Sequence, residues 1–260
     1  MTALPAIFVS HGSPTLVLND VPARDFLMGL GADLPQPRAI VVVSAHYESA
    51  GVRVNTAARP RVIHDFHGFP KALYEMRYDA PGDPDLAAAI VARLRKAGLD
   101  AEGDESWGFD HGTWVPLTLM YPEADIRVVA VSVDPEAGPD HHRRLGAALA
   151  PLRDDGVLIL ASGAFTHNLG ELRRGAQAEL DAPDWVTQFV DWTADAIQEG
   201  RTEDLLHYRD RAPAAARNHP TEEHFLPLFA ALGAGGGGQG RRLHTSTTFS
   251  VLAMDAYAFG

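Results

Sequence analysis

The segment Ala39-Ile40-Val41-Val42-Val43-Ser44-Ala45-His46 is an apolar run that ends in a histidine. Its first five residues are aliphatic without alternation, which is typical of a strand buried on both faces of a parallel sheet. We therefore predict that His46 lies at the carboxyl end of a central strand. Ligand crevices of open α/β sheets lie outside the carboxyl ends of the strands, so the pattern indicates a site near His46.

Two further segments repeat this pattern of an apolar strand followed by small polar residues and a histidine. Residues 6–12, AIFVSHG, contain His11, and residues 157–163, VLILASG, are followed by His167. The carboxyl ends of parallel strands meet at one edge of a sheet, so these histidines are predicted to converge. A hydrogen-bonded buried imidazole at each strand end is the structural alternative.

The composition excludes several classes of protein and site. The net charge is −12 and no run of Lys and Arg exceeds two residues, which argues against a nucleic-acid partner. The absence of cysteine excludes disulfides and thiolate metal sites, so a metal would need His, Asp or Glu ligands. The first residues, MTALP, lack a basic signal region, and no apolar window has the roughly 18 residues of a membrane span. We expect a cytoplasmic protein without a membrane partner.

The remaining segments alternate between strand and helix patterns. Asp83-Pro84 indicates a helix start, followed by a helical pattern from Leu86 to Lys96 that ends at Gly98. The other predicted elements are a helix from Pro22 to Leu30 capped by Asp20 and stopped at Gly31, an edge or hairpin strand at 52–55, a helix at 115–120, a strand at 126–133, helices at 140–152 and 184–199, a helix opened by residues 218–224 and capped by Thr221, a mobile glycine loop at 233–240, and a final strand at 244–254. We predict a single α/β domain over residues 1–260, with a mostly parallel or mixed central sheet, helices on both faces and a metal site at the carboxyl ends of the strands.

Twelve histidines in 260 residues are dense enough to indicate a metal site in a chain without cysteine. His141, His142, His207 and His244 fit helix or strand patterns and are interpreted as structural. The sequence contains no Gly-x-Ser-x-Gly, His-Glu-x-x-His or glycine-rich phosphate motif. Isolated histidines that converge at one end of a sheet are the pattern of a metal-dependent enzyme.

Two aromatic segments that carry histidines complete the set of candidate site residues. Residues 64–70, HDFHGFP, are predicted to form a substrate lid, and residues 107–114, WGFDHGTW, a second aromatic loop. The side chains expected to bind substrate are His64, Phe66, Phe69, Trp107 and Trp114, although these aromatic rings fit a plain core equally well. His111 is either a site residue or a packed loop histidine.

Six segments together resemble the class III extradiol ring-cleavage dioxygenases, specifically the group similar to 4,5-DOPA dioxygenase extradiol. In the family's order they are residues 9–14 (VSHGSP), 40–46 (IVVVSAH), 63–70 (IHDFHGFP), 107–114 (WGFDHGTW), 161–169 (ASGAFTHNL) and 220–227 (PTEEHFLP). The resemblance implies a non-haem metal bound by His11, His46 and His224. In the wider superfamily, the metal ligands resemble an arrangement of two histidines and one carboxylate. Glu223 is therefore the alternative to His224 as the third ligand.

The resemblance also implies a reaction in which Fe(II), a catechol and O2 meet at this site. His167 and His111 would lie beside the substrate, with His167 as the base and His111 as the acid or a donor to O2. A zinc-dependent hydrolase and a metal-binding protein without catalysis are the alternatives. Affinity order does not favour Fe(II) over Zn(II) at nitrogen ligands, so an isolated sample can carry zinc. Which catechol is cleaved, and the oligomeric state, stay open.

Overall fold

The computed structural model describes residues 3–172 and 181–260. The strands in this part of the chain are β1 (Ala6–Ser10), β2 (Ala39–Glu48), β3 (Val52–Asn55), β4 (Ala101–Asp104), β5 (Arg127–Val133), β6 (Val157–Gly163), β7 (Gly240–His244), β8 (Thr247–Thr248), β9 (Leu252–Ala253) and β10 (Ala256–Phe259). The helices are α1 (Pro22–Asp33), α2 (Lys71–Tyr74), α3 (Pro84–Lys96), α4 (His111–Met120), α5 (Gly138–Leu149), α6 (Asp184–Gln198), α7 (Thr202–Leu206), α8 (Tyr208–Arg211), α9 (Ala215–Asn218) and α10 (Leu226–Ala234). None of the helices described in these two ranges has the length and apolar character to cross a membrane.

Eight of the strands form one mixed sheet in the order β4-β3-β5-β2-β6-β1-β10-β7. Strands β5, β2, β6 and β1 run parallel to one another, while β10 pairs antiparallel with β1 and β7. Strand β6 lies between β1 and β2, so their three carboxyl ends are adjacent at one edge. The predicted α/β domain with a mixed central sheet is confirmed.

Each face of the sheet carries its own apolar core, as the unbroken aliphatic runs predict. Val41 and Val43 belong to one core, which includes residues of α3, α5, α6 and α10. Ile40 and Val42 belong to the other, which includes residues of α1 and α4. Side chains alternate between faces along a strand, so β2 needs apolar residues at every position to fill both cores.

Strand β2 continues past its predicted end, but its regular pairing does not. Ser44 pairs with Ser132 of β5, and the next partner of β5, Val133, pairs with Glu48. Residues 45–47 are therefore bulged out of the ladder with β5, and the pairing with β6 also ends at Ser44. Bulges redirect side chains at sheet edges and near active sites. The bulge places His46 outside the regular ladder, at the edge where the carboxyl ends of the strands lie.

Several predicted helix limits were wrong, because both a tertiary contact and local side-chain contacts set them. Helix α1 continues through Gly31, where a Cβ atom would lie 2.0 Å from the carbonyl oxygen of Met120, so this glycine permits close helix packing. Asp20 pairs with Arg24 instead of capping α1. Helix α4 begins at His111, four residues earlier than predicted, because Asp110 accepts a hydrogen bond from the Thr113 backbone.

The predictions for the carboxyl-terminal third also needed correction. Residues 219–225 form turns rather than the start of a helix, because the Thr221 hydroxyl donates to Glu223 and caps no backbone group. The predicted glycine loop at 233–240 is shorter, since α10 includes Gly233 and β7 begins at Gly240. The predicted strand at 244–254 is a small hairpin of β8 and β9, and β10 is the last strand.

Among the described residues, the sheet has β4 at one edge and β7 at the other, and the sequence pattern did not indicate β4. Its residues, AEGD, lack apolar alternation, and its strand geometry comes from parallel pairing with β3. Strand β3, predicted as an edge or hairpin strand, therefore lies one position inside the sheet.

His142 makes the fold sensitive to acid. Its ring is buried in α5, where Nδ1 donates to the carbonyl of Gly138 and Nε2 accepts from the Asp134 backbone. Burial lowers the pKa of His142 to about 4, although the bond to Gly138 acts in the opposite direction. An unfolded histidine has a pKa near 6.5, so the unfolded state binds more protons between pH 6.5 and 4.

We expect the contribution of His142 to be complete above pH 6.5 and to be lost as the pH falls towards 4, by roughly 3 kcal/mol. Urea unfolding of the native protein and of His142→Gln between pH 7.5 and 4.5 checks this. The variant should be less stable at pH 7.5 and should lose less stability on acidification. His207→Gln, at an exposed position, is the control. Equal slopes for the native protein and His142→Gln would contradict the prediction.

Candidate metal centre

Three imidazoles meet where β1, β2 and the turn before α10 come together. The Nε2 atoms of His11 and His46 are 3.0 Å apart, and those of His46 and His224 are 3.2 Å apart. His11 and His224 are buried, and His46 is partly exposed towards a cavity. The structure thus brings together the three residues predicted as metal ligands.

The opposite ring nitrogens of these histidines all face oxygen atoms. Nδ1 of His11 is 3.0 Å from the Ser162 hydroxyl, which itself donates to the carbonyl of Gly112, so the hydroxyl accepts from His11. Nδ1 of His224 donates to Glu223 at 2.8 Å, and Nδ1 of His46 lies 3.4 Å from Asp65. A proton on each Nδ1 leaves the three Nε2 lone pairs directed at one another.

Burial keeps these rings uncharged. It lowers the pKa of His11 and of His224 well below the ordinary value, and neighbouring histidines add to this effect. The pKa of His46 falls to about 3, mainly through burial and then through repulsion from His111, against the attraction of Asp65. Neutral imidazoles with free Nε2 lone pairs are the form that binds a metal.

The donor set fits a metal ion better than it fits a hydrogen-bonded cluster. Two Nε2 lone pairs at about 3 Å repel each other unless a proton or a cation lies between them. Within the described residues, two groups have donor atoms close enough to share an ion, one of His11, His46 and His111 and one of His167, Glu223 and His224. The short Nε2 distances from His46 to both His11 and His224 join these two groups.

Helix α4 brings His111 to the same centre. The Ser44 hydroxyl donates to the Asp110 carboxylate at 2.6 Å, which fixes the start of the helix against β2. The His111 ring centroid is 3.8 Å from that of His46, and its Nδ1 is 2.9 Å from Asp65. Burial raises the pKa of Asp65, but the hydrogen bond and charge of His111 outweigh burial and lower it overall. Asp65 is therefore ionised at neutral pH.

His167 lies on the other side of the centre, against His224. The two rings stack at a centroid distance of 3.5 Å with planes 9° apart. The backbone N–H of His167 donates to the carbonyl of Asn218, which holds the turn after β6. Burial, reinforced by the charge of His111, lowers the pKa of His167 to about 4, so the ring is neutral at pH 7.

A cavity of about 540 Å³ opens over these histidines. Its polar lining includes Asp65 and four of the candidate histidines, and its apolar lining comes from distant parts of the chain. The large apolar side chains are those of Phe66, Phe69, Leu169, Leu172, Phe249, Leu252 and Met254. Cavities of a few hundred cubic ångströms with apolar walls and few polar groups are typical of small-molecule sites.

Of the five residues expected to bind substrate, Phe66 and Phe69 line this cavity and three lie outside its lining. Trp107 stacks on Tyr47 at 4.7 Å and donates to Asp110. Trp114 is buried in the helix and donates to the carbonyl of Ile63, while His64 packs behind Phe66.

Sequence reasoning missed the groups that orient the histidines and part of the cavity wall. Ser162 was noted only as part of a strand end, and Asp65 only as part of an aromatic loop. An acidic residue between His64 and Phe66 was a usable signal, because carboxylates commonly orient site histidines. No sequence pattern indicated that the hairpin residues Phe249 and Leu252 would line the cavity.

Gly163, the last residue of β6, permits the turn that carries His224. A Cβ atom there would lie 2.3 Å from the carbonyl oxygen of His224, which accepts from the Ala164 backbone at 2.8 Å. We expect Gly163→Ala to move this turn, to cost about 1–3 kcal/mol of stability and to weaken metal binding.

Thermal unfolding and metal titration of Gly163→Ala test this expectation. Gly29→Ala is the matched control, because no heavy atom lies within 4 Å of the added Cβ in α1. The control should be neutral or more stable, since alanine favours helices over glycine. Native stability and metal affinity in Gly163→Ala would show that the turn adapts freely.

Comparison with known proteins identifies a family and several relatives for this chain. The family described as "Catalytic LigB subunit of aromatic ring-opening dioxygenase" matches residues 5–260. The "4,5-DOPA dioxygenase extradiol" of Beta vulgaris is 40% identical over 259 residues, 97% of this chain and 95% of that protein. The protein of the same name from Escherichia coli K12 is 42% identical over 236 residues, 90% of this chain and 86% of that protein.

A solved structure shows that the similarity to known proteins covers the whole fold. The crystal structure of an uncharacterized protein from Escherichia coli K12 superposes with a TM-score of 0.81 at 33% sequence identity and covers 99% of this chain and 100% of that one. The family match spans nearly the entire sequence, and the histidine centre lies within it. The chain therefore belongs to the LigB family of aromatic ring-opening dioxygenases and is an extradiol ring-cleavage dioxygenase.

Proposed function

We propose that the chain, as one catalytic domain over residues 1–260, uses Fe(II) held by His11, His46 and His224 to cleave a catechol such as DOPA with O2. The observation that carries the metal assignment is the meeting of three Nε2 atoms, each on a ring whose Nδ1 faces an oxygen atom. The names of the relatives, 4,5-DOPA dioxygenase extradiol, support the substrate class.

His224, rather than Glu223, is the third ligand in this proposal. The Glu223 carboxylate accepts from Nδ1 of His224 and from the Thr221 hydroxyl, both through the same oxygen. This contact supports a role in orienting His224, because metal-binding histidines commonly donate their other N–H to a carboxylate. Fe(II) held by these three histidines would supply a path for electron density from the catechol to O2.

His167 and His111 move the protons in this proposal. Ring opening needs a proton removed from a catechol hydroxyl and a proton returned later. His167 lines the cavity beside His224 as a neutral ring, which suits the acceptor. His111 lines the same cavity beside His46 and is hydrogen-bonded to a carboxylate, which suits a proton donor.

Phe66 and Phe69 give the substrate ring an apolar wall. Their centroids are 5.2 Å apart in an edge-to-face arrangement, and Phe66 lies 5.8 Å from the His111 ring. Flat aromatic substrates stack well on such surfaces. The wall and the metal would hold the ring with its hydroxyl edge towards the histidines.

Anaerobic reconstitution tests the function. The metal-free protein is loaded with Fe(II) or Zn(II), mixed with DOPA or unsubstituted catechol, and then supplied with air. We expect a yellow ring-opened product and matching O2 uptake only with Fe(II). Hydrolysis of an ester or amide by the zinc form without O2 uptake would favour a hydrolase, and inertness with both metals would favour a metal-binding protein without catalysis.

A further inference from the structure

Asp65 contacts two histidines that have different tasks in the proposed function. Its Oδ1 accepts a hydrogen bond from the backbone N–H of His111 at 3.0 Å, and its Oδ2 accepts one from Nδ1 of the same residue at 2.9 Å. The same Oδ2 is 3.4 Å from Nδ1 of His46. One carboxylate therefore touches both a metal-binding ring and a ring that exchanges protons.

We propose that Asp65 is a positioning residue that holds His111 with a proton on Nδ1, so that Nε2 is the nitrogen that takes up a proton and returns it to the substrate. An ionised carboxylate only accepts hydrogen bonds, so the ring nitrogen that contacts it must carry hydrogen. Nδ1 of His111 is then protonated in both charge states of the ring. Any proton exchanged with a substrate passes through Nε2.

The chain around Asp65 is held rigidly enough to serve this purpose. The Phe109 backbone N–H donates to the carbonyl of Arg61, and the Ile63 N–H donates to the carbonyl of Phe109, both at 2.8 Å. These bonds join the segment before Asp65 to the residues just before α4. The carboxylate and the His111 ring are thus carried by two segments that cannot move independently.

An amide at position 65 cannot reproduce both contacts. Asparagine has one accepting oxygen, and its nitrogen only donates. When the oxygen keeps the His111 backbone N–H at the start of α4, the NH2 group faces Nδ1. The ring must then become an acceptor at Nδ1 and carry its hydrogen on Nε2, so the nitrogen that faces the substrate loses its lone pair.

The tautomer can be observed without any turnover. In ¹⁵N-labelled protein loaded with Zn(II), which is diamagnetic, long-range ¹H–¹⁵N spectra distinguish protonated from unprotonated ring nitrogens. We expect Nδ1 of His111 to be protonated in the native protein and unprotonated in Asp65→Asn, and Asp65→Glu to recover the native tautomer. An unprotonated Nδ1 in the native protein would overturn the proposal, as would a native tautomer in Asp65→Asn.

Kinetics give a second and independent test, which rests on the proposed function. We expect Asp65→Asn to lower kcat by about 10²–10⁴-fold at saturating Fe(II), the range for loss of a positioned acid or base. In the His111→Phe background, the same change should have little further effect, because residues that act as a unit are not additive. Asp83→Asn is the control for the chemical change, because Asp83 caps α3 and lies outside the cavity lining.

Several outcomes would contradict this role for Asp65. Full recovery of kcat in Asp65→Asn with excess Fe(II) would mean that the carboxylate acts through His46 alone. Multiplicative effects of the two substitutions would mean that it acts independently of His111. Absence of turnover in the native protein would refute the proposed function, while the tautomer measurement would still decide the position of the proton.

Discussion

Replacement of His11, His46 or His224 with alanine is expected to abolish stoichiometric metal binding and, with it, all ring cleavage. Each substitution leaves two protein ligands, which are too few to compete with water for the ion. The Nε2 distances of 3.0 and 3.2 Å bring the three rings together, so we expect each ring to be required for metal binding. Elemental analysis after loading with Fe(II), together with circular dichroism, measures the effect.

The fold should survive these substitutions, because the ring ends lie outside the apolar cores of the strands. His207→Ala, at an exposed position, is the control and should bind metal fully. Stoichiometric metal in His224→Ala would instead assign the third ligand to Glu223, whose carboxylate lies 2.8 Å from that ring.

Replacement of His167 with glutamine is expected to lower turnover by about 10²–10⁴-fold while iron stays bound. Glutamine keeps a polar group of similar length but cannot take up a proton at neutral pH. His167 contacts His224 through ring stacking, and in this proposal its own nitrogens do not bind the metal. The metal centre should therefore remain intact in the variant. The single-turnover rate and the iron content of the same sample separate these two effects.

A matched substitution at another buried histidine is the control for His167→Gln. His219→Gln changes another buried histidine, whose Nε2 donates to the carbonyl of Phe165, outside the cavity lining. It should lower the free energy of unfolding, while the single-turnover rate per bound iron should stay close to the native value. Metal-free His167→Gln protein would show that His167 is a fourth ligand, as in a closed zinc site.

The two faces of β2 explain why the fold class could be predicted. A strand with aliphatic residues at every position has to be covered on both sides, and that requirement is visible within five residues of sequence. The histidines that follow the apolar runs of β1 and β2 were found for the same reason, since the end of an apolar run is a local feature. The limits of α1 were not found, because Gly31 continues the helix through a contact with Met120.

The orientation of the rings depends on partners far away in the sequence. His11 is fixed by Ser162, 151 residues later, and His46 faces His224 across 178 residues. No local pattern predicts which ring nitrogen will face which neighbour. The Asp65 contact with His111, 46 residues away, is of the same kind.

The sequence by itself determined the parallel core, the histidines at its strand ends and the family, because continuous apolar runs and short motifs are local properties of the chain. Only the tertiary structure decided that three Nε2 atoms meet, that Asp65 contacts the His111 ring, and that Phe66 faces the cavity while Trp114 lies in the core. Those outcomes depend on strand order and on long-range packing. Both arise from the free energy of the whole fold rather than of any one segment.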